Sequence, residues 1–402
     1  MIKAINILCI GFTIVFFWST LIVLLGLVKR RKVHPVSTQY LRFAILICAR
    51  NEANVIKRPI RSLVRCKYPD GKFSVIVLAD NCTDETAAAA REAGAIVWEK
   101  TSPSLGKGDV LSWGINKIIE DGSYDAIAVF DADNSASDQW LGRANDALQN
   151  GESVVTGCRY ASNARTSLIS GWYAVYWSMM NELSNRVRTN LGLSGKITGT
   201  GFAFLLSALG PEGWKTGSLV EDVEFTIQTN LAGRRVAYVP EAEFADEQPE
   251  NALMMWRQLR RWTTGGWEVA RLYLFKWIAA LCQVPSLRLF DCYFAILTGM
   301  SVAFALLFDF ISLGITYAKY GMSVQAIKFF FGIIGVVFVM GWLTAISAIA
   351  LSKRRRRPRR MAIWTFPVFS LILSAAVLFT AIFPTRRWKP IPHGALPKGD
   401  KK

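Results

Sequence analysis

Two carboxylates two residues apart, Asp131 and Asp133, follow directly on the apolar run Ala126 to Phe130. At the end of a buried strand, carboxylates at i and i+2 can converge on a divalent cation that bridges a diphosphate. Hard oxygen ligands suit Mg²⁺ or Mn²⁺, and the ion neutralises a leaving nucleoside diphosphate. A capping turn running into Asn134 and Ser135 is the alternative for the same residues. A second acidic pair, Glu221-Asp222, lies in the stretch Leu219 to Phe225. A partly desolvated Asp beside apolar neighbours suits the removal of a proton from an attacking hydroxyl. Acids gathered at a helix N-terminus would look the same. In Gln258-Leu259-Arg260-Arg261-Trp262, the residues Gln258, Arg261 and Trp262 stand at i, i+3 and i+4, on one side of a helix. Arg261 is suited to clamp a diphosphate and Trp262 to stack on a sugar ring. A basic interfacial helix with a snorkelling Arg and an anchoring Trp is the plainer reading.

These clusters need strands and helices to carry them. From about Leu41 to Asn251, β-branched runs (Phe43 to Cys48, Phe73 to Ala79, Ala95 to Trp98, Ala126 to Phe130) alternate with helical segments such as Asp84 to Glu92. That alternation predicts parallel strands with crossover helices and ligands at the strands' carboxyl ends, where the acidic and glycine-bearing clusters fall. Trp172, Tyr176, Met179, Leu183 and Val187 line one helical face, a pattern of core packing.

Both flanks are apolar. Ile7 to Val28, about 22 residues, is long enough to cross a hydrocarbon core as a helix. Its basic cluster follows the run and no cleavage site is evident, so it reads as a signal anchor. Leu272 to Val284 is too short to span and suits an interfacial helix. Three longer runs follow, about Phe290 to Thr316, about Ile327 to Leu351 and Ile363 to Phe383, with Tyr317 to Gln325 as an outer loop. Asp291 and Asp309 are candidates for a polar lumen, or for helix ends facing headgroups.

Composition narrows the class. The apolar fraction is 52% and the charged fraction 19%, with 47 Lys and Arg against 30 Asp and Glu, a net +17. The basic surplus concentrates at Lys29 to Lys32 and Lys353 to Arg360, beside the apolar runs. That is the positive-inside pattern, and it argues against nucleic acid as the partner. The same rule disfavours export of the basic tail from Arg386. Seven scattered cysteines without a CxxC pair predict no metal or disulfide framework. Only His34 and His393 are present, so Ser-His-Asp or His-metal chemistry in the central domain is excluded and carboxylates must do the acid–base work.

Taken together, the acidic clusters and QxxRW make the chain resemble the membrane-integrated family 2 glycosyltransferases. These include cellulose, chitin, hyaluronan and poly-N-acetylglucosamine synthases and the nodulation-type chito-oligosaccharide synthases. The likeness runs from Phe43 to about Val269. It implies a Rossmann-like α/β GT-A fold and sugar transfer from a nucleotide diphosphate with inversion. It also implies that Ala49, Arg50 and Glu52 form the nucleotide loop and that Asp80 contacts the uracil. Lys107 of Gly106-Lys107-Gly108 approaches the pyrophosphate. Asp131 and Asp133 are the metal and sugar-diphosphate pair, Asp133 being the direct ligand. Gly199, Thr200, Gly201 and Phe202 border the acceptor, Asp222 with Glu221 supplies the general base, and Gln258, Arg261 and Trp262 are QxxRW. One departure is Val220, where many polymer-forming relatives carry Thr.

The resulting expectation is a hexosyltransferase of the plasma membrane, multi-pass with a cytosolic catalytic domain. It uses UDP-GlcNAc or UDP-Glc, with Mg²⁺ or Mn²⁺, to extend a β-linked glycan coupled to export. A single transfer to a lipid acceptor is the alternative. Residues 1–32 form the anchor and 33–251 the GT-A domain. Residues 252–286 form the QxxRW and interfacial segment, 287–385 the C-terminal helices and 386–402 a basic tail. A homo-oligomer or export partner is left open. A scaffold on a dead domain is disfavoured because no key carboxylate is missing, and a transporter because half the chain is soluble α/β in texture.

Overall fold

The computed structural model describes residues 2–30, 33–321, 324–352 and 357–385. Arg31 and Lys32, residues 353–356, two positions of the expected outer loop (322–323) and the tail from 386 lie outside the described residues. The chain divides into two compact units, one of Val33–Ser162 with Lys196–Glu247, the other of the N-terminal segment, Asn163–Gly195 and Gln248 onward.

In the first unit the elements run β1 (Phe43–Ala49), α2 (Lys57–Val64), β2 (Phe73–Asp80), α3 (Thr86–Glu92), β3 (Ile96–Lys100), α4 (Lys107–Asp121), β4 (Ala126–Asp131), β5 (Ser135–Ala136), α5 (Trp140–Gln149), β6 (Val154–Ala161), β7 (Phe202–Leu205), α8 (Glu221–Leu231) and β8 (Val236–Asp246). The strands form one sheet in the order β3-β2-β1-β4-β7-β6-β8-β5. Its first four strands are parallel, as the alternation of runs and helices predicts. β7 then pairs antiparallel with both β4 and β6, an extension that the sequence periodicity did not reveal.

Strand pleating sorts the apolar residues into two cores. Phe43, Ile45, Ile47 and Phe130 pack on one face with Ile60, Leu63 and Trp140. Ala44, Leu46, Ile127 and Val129 pack on the other with Val110, Leu111, Ile115 and Ile118 of α4. Full burial of an Ile or Leu side chain contributes ~1.5–3 kcal/mol, so these two layers hold the strand ends rigidly.

The second unit is helical: α1 (Ile2–Val28), α6 (Leu168–Met179), α7 (Arg186–Asn190), α9 (Ala252–Gln283), α10 (Leu287–Tyr320), α11 (Val324–Leu351), α12 (Arg360–Trp364) and α13 (Phe366–Ile382). A π-helical stretch, Met180–Asn185, joins α6 to α7, so the aromatic face expected over Trp172 to Val187 is wound differently in its second half. Trp172, Tyr173 and Trp177 do pack as core, with Leu259 and Phe369. α9 is one continuous helix of 32 residues rather than a QxxRW segment followed by a separate interfacial helix. Among the residues whose side chains are described, two helices are long and apolar enough to cross a membrane, over 287–319 and 334–351, and the stretches Ile14–Val28 and Phe366–Ile382 are apolar as well. The run expected from Ile363 to Phe383 is broken at Thr365, which ends α12 and precedes α13; Pro367 follows, in the first turn of α13, where its missing N–H is not needed.

Asp291 lines no lumen. It is fully buried and accepts hydrogen bonds from Arg188 Nε at 2.9 Å and Trp18 Nε1 at 3.0 Å. A carboxylate at that depth requires such partners, and the contact ties α1, α7 and α10 together. α1 meets α7 closely at Gly26, where an added Cβ would lie 2.5 Å from Val187 Cβ. Asp309 is half-buried on α10. The described cysteines form no disulfide; Cys66, Cys158 and Cys292 are buried, whereas Cys282 is exposed on the last turns of α9.

Candidate active site

Register brings the chemistry to one edge. Cys48 on β1 is opposite Asp131 on β4, and Ala49 is opposite Ala79, the residue before Asp80 on β2. Parallel strands therefore deliver Arg50, Asp80 and Asp131 side by side at their carboxyl ends. Asp80 is buried, and its carboxylate accepts from Arg50 Nη2, from Ser104 Oγ at 2.8 and 2.9 Å and from Asn81 Nδ2 at 2.8 Å. Arg50 Nε also donates to the Asp80 carbonyl at 3.2 Å. Two turns behind this rim use Asn51 (φ 58°) and Asn81 (φ 47°), since Asn tolerates the left-handed region. Thr86 Oγ1 accepts from the Glu52 N–H at 2.8 Å, and Asp84 accepts from Ala53 N and Thr86 N. Desolvation opposes the Asp84 charge, but the hydrogen bonds from Thr86 and Ala53 outweigh it and lower its pKa. Asp84 is thus a brace for the loop carrying Glu52.

At the centre stands Lys107, the first residue of α4. Its Nζ lies 2.5 Å from Asp131 Oδ1, 2.6 Å from the Gly199 carbonyl and 3.6 Å from Glu221 Oε1. Burial works against the ammonium, but Asp131 and Glu221 more than offset it and raise its pKa, so it stays charged. Burial also pushes the neighbouring Cys48 thiol well up, which leaves it neutral and a poor nucleophile.

The loop facing Asp131 is locked by Thr200 and Asn134. The Asp131 N–H is within bonding distance of Thr200 Oγ1 (2.9 Å) and Asn134 Oδ1 (3.0 Å), and Thr200 Oγ1 bonds Asn134. Both Thr200 and Asn134 are fully buried. Gly199 and Gly201 flank Thr200 with φ of 88° and 61°, and a Cβ on Gly201 would lie 2.1 Å from Phe244 Cε1. Phe202, the next residue, turns its ring into the core against Phe204 and Trp214.

Asp133 faces a second charged group. Arg159 on β6 and Asp246 on β8 form a buried pair, with Arg159 Nε 2.9 Å from Asp246 Oδ2 and Arg159 Nη1 donating to the Thr198 carbonyl. Desolvation, then the charges of Asp246 and Asp131, push the Asp133 carboxyl up to about 8, with Arg159 opposing them. Nothing in the local sequence flags Arg159, which lies within β6, or Asp246, which closes β8.

Helix α8 opens at Glu221, and three acids occupy its first turn. Glu224 reaches back to the loop before the helix: its Oε2 accepts from Gly217 N at 2.9 Å and Ser218 N at 2.8 Å. Val220, the N-cap residue, supplies no side-chain bond. That leaves Glu221 toward Lys107 and Asp222, half-buried, beside Gly199, where a Cβ would come within 3.9 Å of Asp222 Oδ2.

Gln258, Arg261 and Trp262 lie in the helical unit, on α9. Trp262 sits among Tyr173, Tyr176 and Trp177, and stacks on Tyr176 at 5.9 Å with 24° between the planes. Gln258 Oε1 is buried without a hydrogen-bond partner among the described residues.

The donor set fits a hard divalent cation. Asp131 and Asp133 offer carboxylate oxygens, and the burial and neighbouring negative charge that raise Asp133 are what a bound cation would offset. Among the described residues no three His, Cys, Asp or Glu side chains form a metal cluster.

Comparison with known proteins identifies a family. Residues 41–265 match the model described as glycosyltransferase like family 2. The chain is similar to a beta-monoglucosyldiacylglycerol synthase of a Nostoc species, 26% identical over 238 residues, covering 56% of this chain and 49% of that protein. It is also similar to the poly-beta-1,6-N-acetyl-D-glucosamine synthase of Staphylococcus aureus, 24% identical over 261 residues, covering 63% and 61% respectively. The chain thus spans about half to three-fifths of the length of the curated relatives it matches. The mannosyltransferase PcManGT from Pyrobaculum calidifontis, solved with GDP-Man and Mn²⁺, superposes with a TM-score of 0.65 at 17% identity, over 94% of this chain and 99% of that one. At that identity the likeness shows the fold.

Proposed function

The chain belongs to glycosyltransferase like family 2, and from that premise we propose that it transfers a sugar from a UDP-sugar, with inversion, to an acceptor hydroxyl presented at a membrane. The observation that carries the proposal is the placement of one ammonium, Lys107, against Asp131, Gly199 and Glu221, which joins the diphosphate end of the site to the end bearing Asp222.

In this reading Arg50 and Asp80 form the rim against the nucleotide base. Lys107 takes the charge of the diphosphate. Asp131 and Asp133 hold Mg²⁺ or Mn²⁺, which when bound offsets the charge of the departing diphosphate. Asp222 accepts the proton of the acceptor hydroxyl as its oxygen bonds to the anomeric carbon and the bond from that carbon to the diphosphate oxygen breaks. UDP leaves with the electron pair and the sugar's configuration is inverted. The loop Gly199–Gly201, clamped by Asn134, keeps the acceptor side aligned with the leaving group.

For the acceptor, the QxxRW residues of α9 support a growing β-glycan. A second reading, a single transfer to a lipid, is favoured by Asp291: the intramembrane carboxylate suited to a polar passage is spent on Arg188 and Trp18. Membranes containing the protein, incubated with radiolabelled UDP-sugars and Mn²⁺, separate the two by product size. Polymer supports elongation and a single-sugar extractable lipid supports the second reading. No incorporation from any UDP-sugar overturns both.

A further inference from the structure

Four guanidinium groups surround one pocket of the helical unit. Arg165, Arg357, Arg359 and Arg360 line it, with Ile349 and Ile363 among its apolar walls, and its volume is about 620 Å³. Arg165 Nε donates to the Arg357 carbonyl at 2.8 Å, which pins the loop before α6 to the segment before α12. All four side chains are exposed, and among the described residues no carboxylate pairs with any of them. Four like charges around one concavity repel one another unless an anion enters. The guanidinium fork matches the oxygens of a phosphate.

The surroundings select which phosphate. Ile349 belongs to the last turn of α11, whose stretch 334–351 has the length and hydropathy of a membrane span. On the same helix Leu343 and Ile346 are 54% and 47% exposed, so the basic rim continues into an apolar surface. A free anion would leave that surface unused, whereas an acyl lipid would cover it while its headgroup meets the arginines.

We propose that this pocket binds the phosphate of an anionic phospholipid, an assignment that rests on the reading that the helical unit lies in a membrane. The test uses the full-length protein in detergent with fluorescent short-chain phosphatidylglycerol as probe. The variant R165Q/R357Q/R359Q/R360Q is expected to lose at least about tenfold in affinity. A control removing four exposed charges elsewhere, R61Q/R65Q/K67Q/K72Q, is expected to stay within about threefold. Should the pocket variant fail to fold, R359Q and R360Q singly carry the test, each with an expected loss of severalfold. Unchanged affinity in the pocket variants overturns the site. Displacement by inorganic phosphate as effective as by unlabelled phosphatidylglycerol overturns the lipid as occupant. Flotation on pure phosphatidylcholine vesicles reports on the membrane reading alone. Its failure overturns that reading and the site together, while flotation with unaltered lipid binding by the variants overturns the site only.

Discussion

Lys107 and Asp131, the start of α4 and the end of β4, are joined by a contact of 2.5 Å. The same ammonium reaches Glu221 at 3.6 Å, so one side chain couples three elements that meet only in the folded sheet. Its replacement by Met is expected to weaken UDP binding about 10- to 100-fold, the contribution of a charged hydrogen bond or two. Calorimetric titration with UDP and Mn²⁺ checks this, and unchanged affinity would remove Lys107 from the diphosphate.

Among the described residues the Asp222 carboxylate has no such partner, and its side chain stands beside Gly199. The Asp222→Asn variant should lose about 10²–10⁴-fold in kcat, the usual contribution of a general base, with donor affinity nearly unchanged. Single-turnover assays alongside donor titrations separate the two quantities. Ordinary turnover would take Asp222 out of the base role.

Asp133 provides the pH dependence. With its carboxyl raised to about 8, it holds a proton at neutral pH that a cation must displace. Mn²⁺ affinity should therefore rise with pH and level off above about 8, falling by up to about tenfold per pH unit below that. The sign for folding is opposite. A carboxyl raised in the native state stabilises it below the unfolded value, and that contribution is lost as pH climbs from about 4 to about 8. Thermal unfolding across that window, with and without Mn²⁺, should show the metal-free protein declining and the metal restoring it. Asp133→Ala should abolish both effects; persistence of either would move the metal elsewhere.

At Gly201 the cost is steric. A left-handed φ of 61° and a Cβ position 2.1 Å from Phe244 predict that Gly201→Ala destabilises the protein by about 2–4 kcal/mol. Denaturant unfolding measures it. A loss under about 1 kcal/mol would mean that Phe244 moves freely and that the loop is not locked.

In the helical unit, Arg188→Met leaves Asp291 buried and uncompensated, at an expected cost of about 3–5 kcal/mol. Adding Asp291→Leu should recover most of that loss, because the buried charge goes with its partner. Thermal stability in detergent reports both, and additive losses in the double variant would contradict a paired role.

Much of the α/β unit was legible in residue order. The runs Phe43 to Cys48, Phe73 to Ala79 and Ala126 to Phe130 become β1, β2 and β4 because β-branched, doubly buried strands read as continuous apolar stretches. Asp80 and Asp131 were readable for the same reason, each ending such a run. β7 was not, since a four-residue strand paired antiparallel on both sides leaves little periodicity. The break at Thr365 escaped notice because hydropathy averages over a turn that a proline interrupts.

What residue order determined by itself was which chemistry was available: acids at strand ends, a lysine after a glycine, a basic aromatic helix, and carboxylates in place of histidines. Those are properties of spacing within a few residues, where backbone geometry is nearly fixed. Which acids share a field was decided only by tertiary structure. Arg159 and Asp246 meet Asp133 across a sheet, and Arg188 meets Asp291 across helices, at sequence separations no local rule spans. Electrostatic energy depends on distance and dielectric surroundings, and both are created by folding.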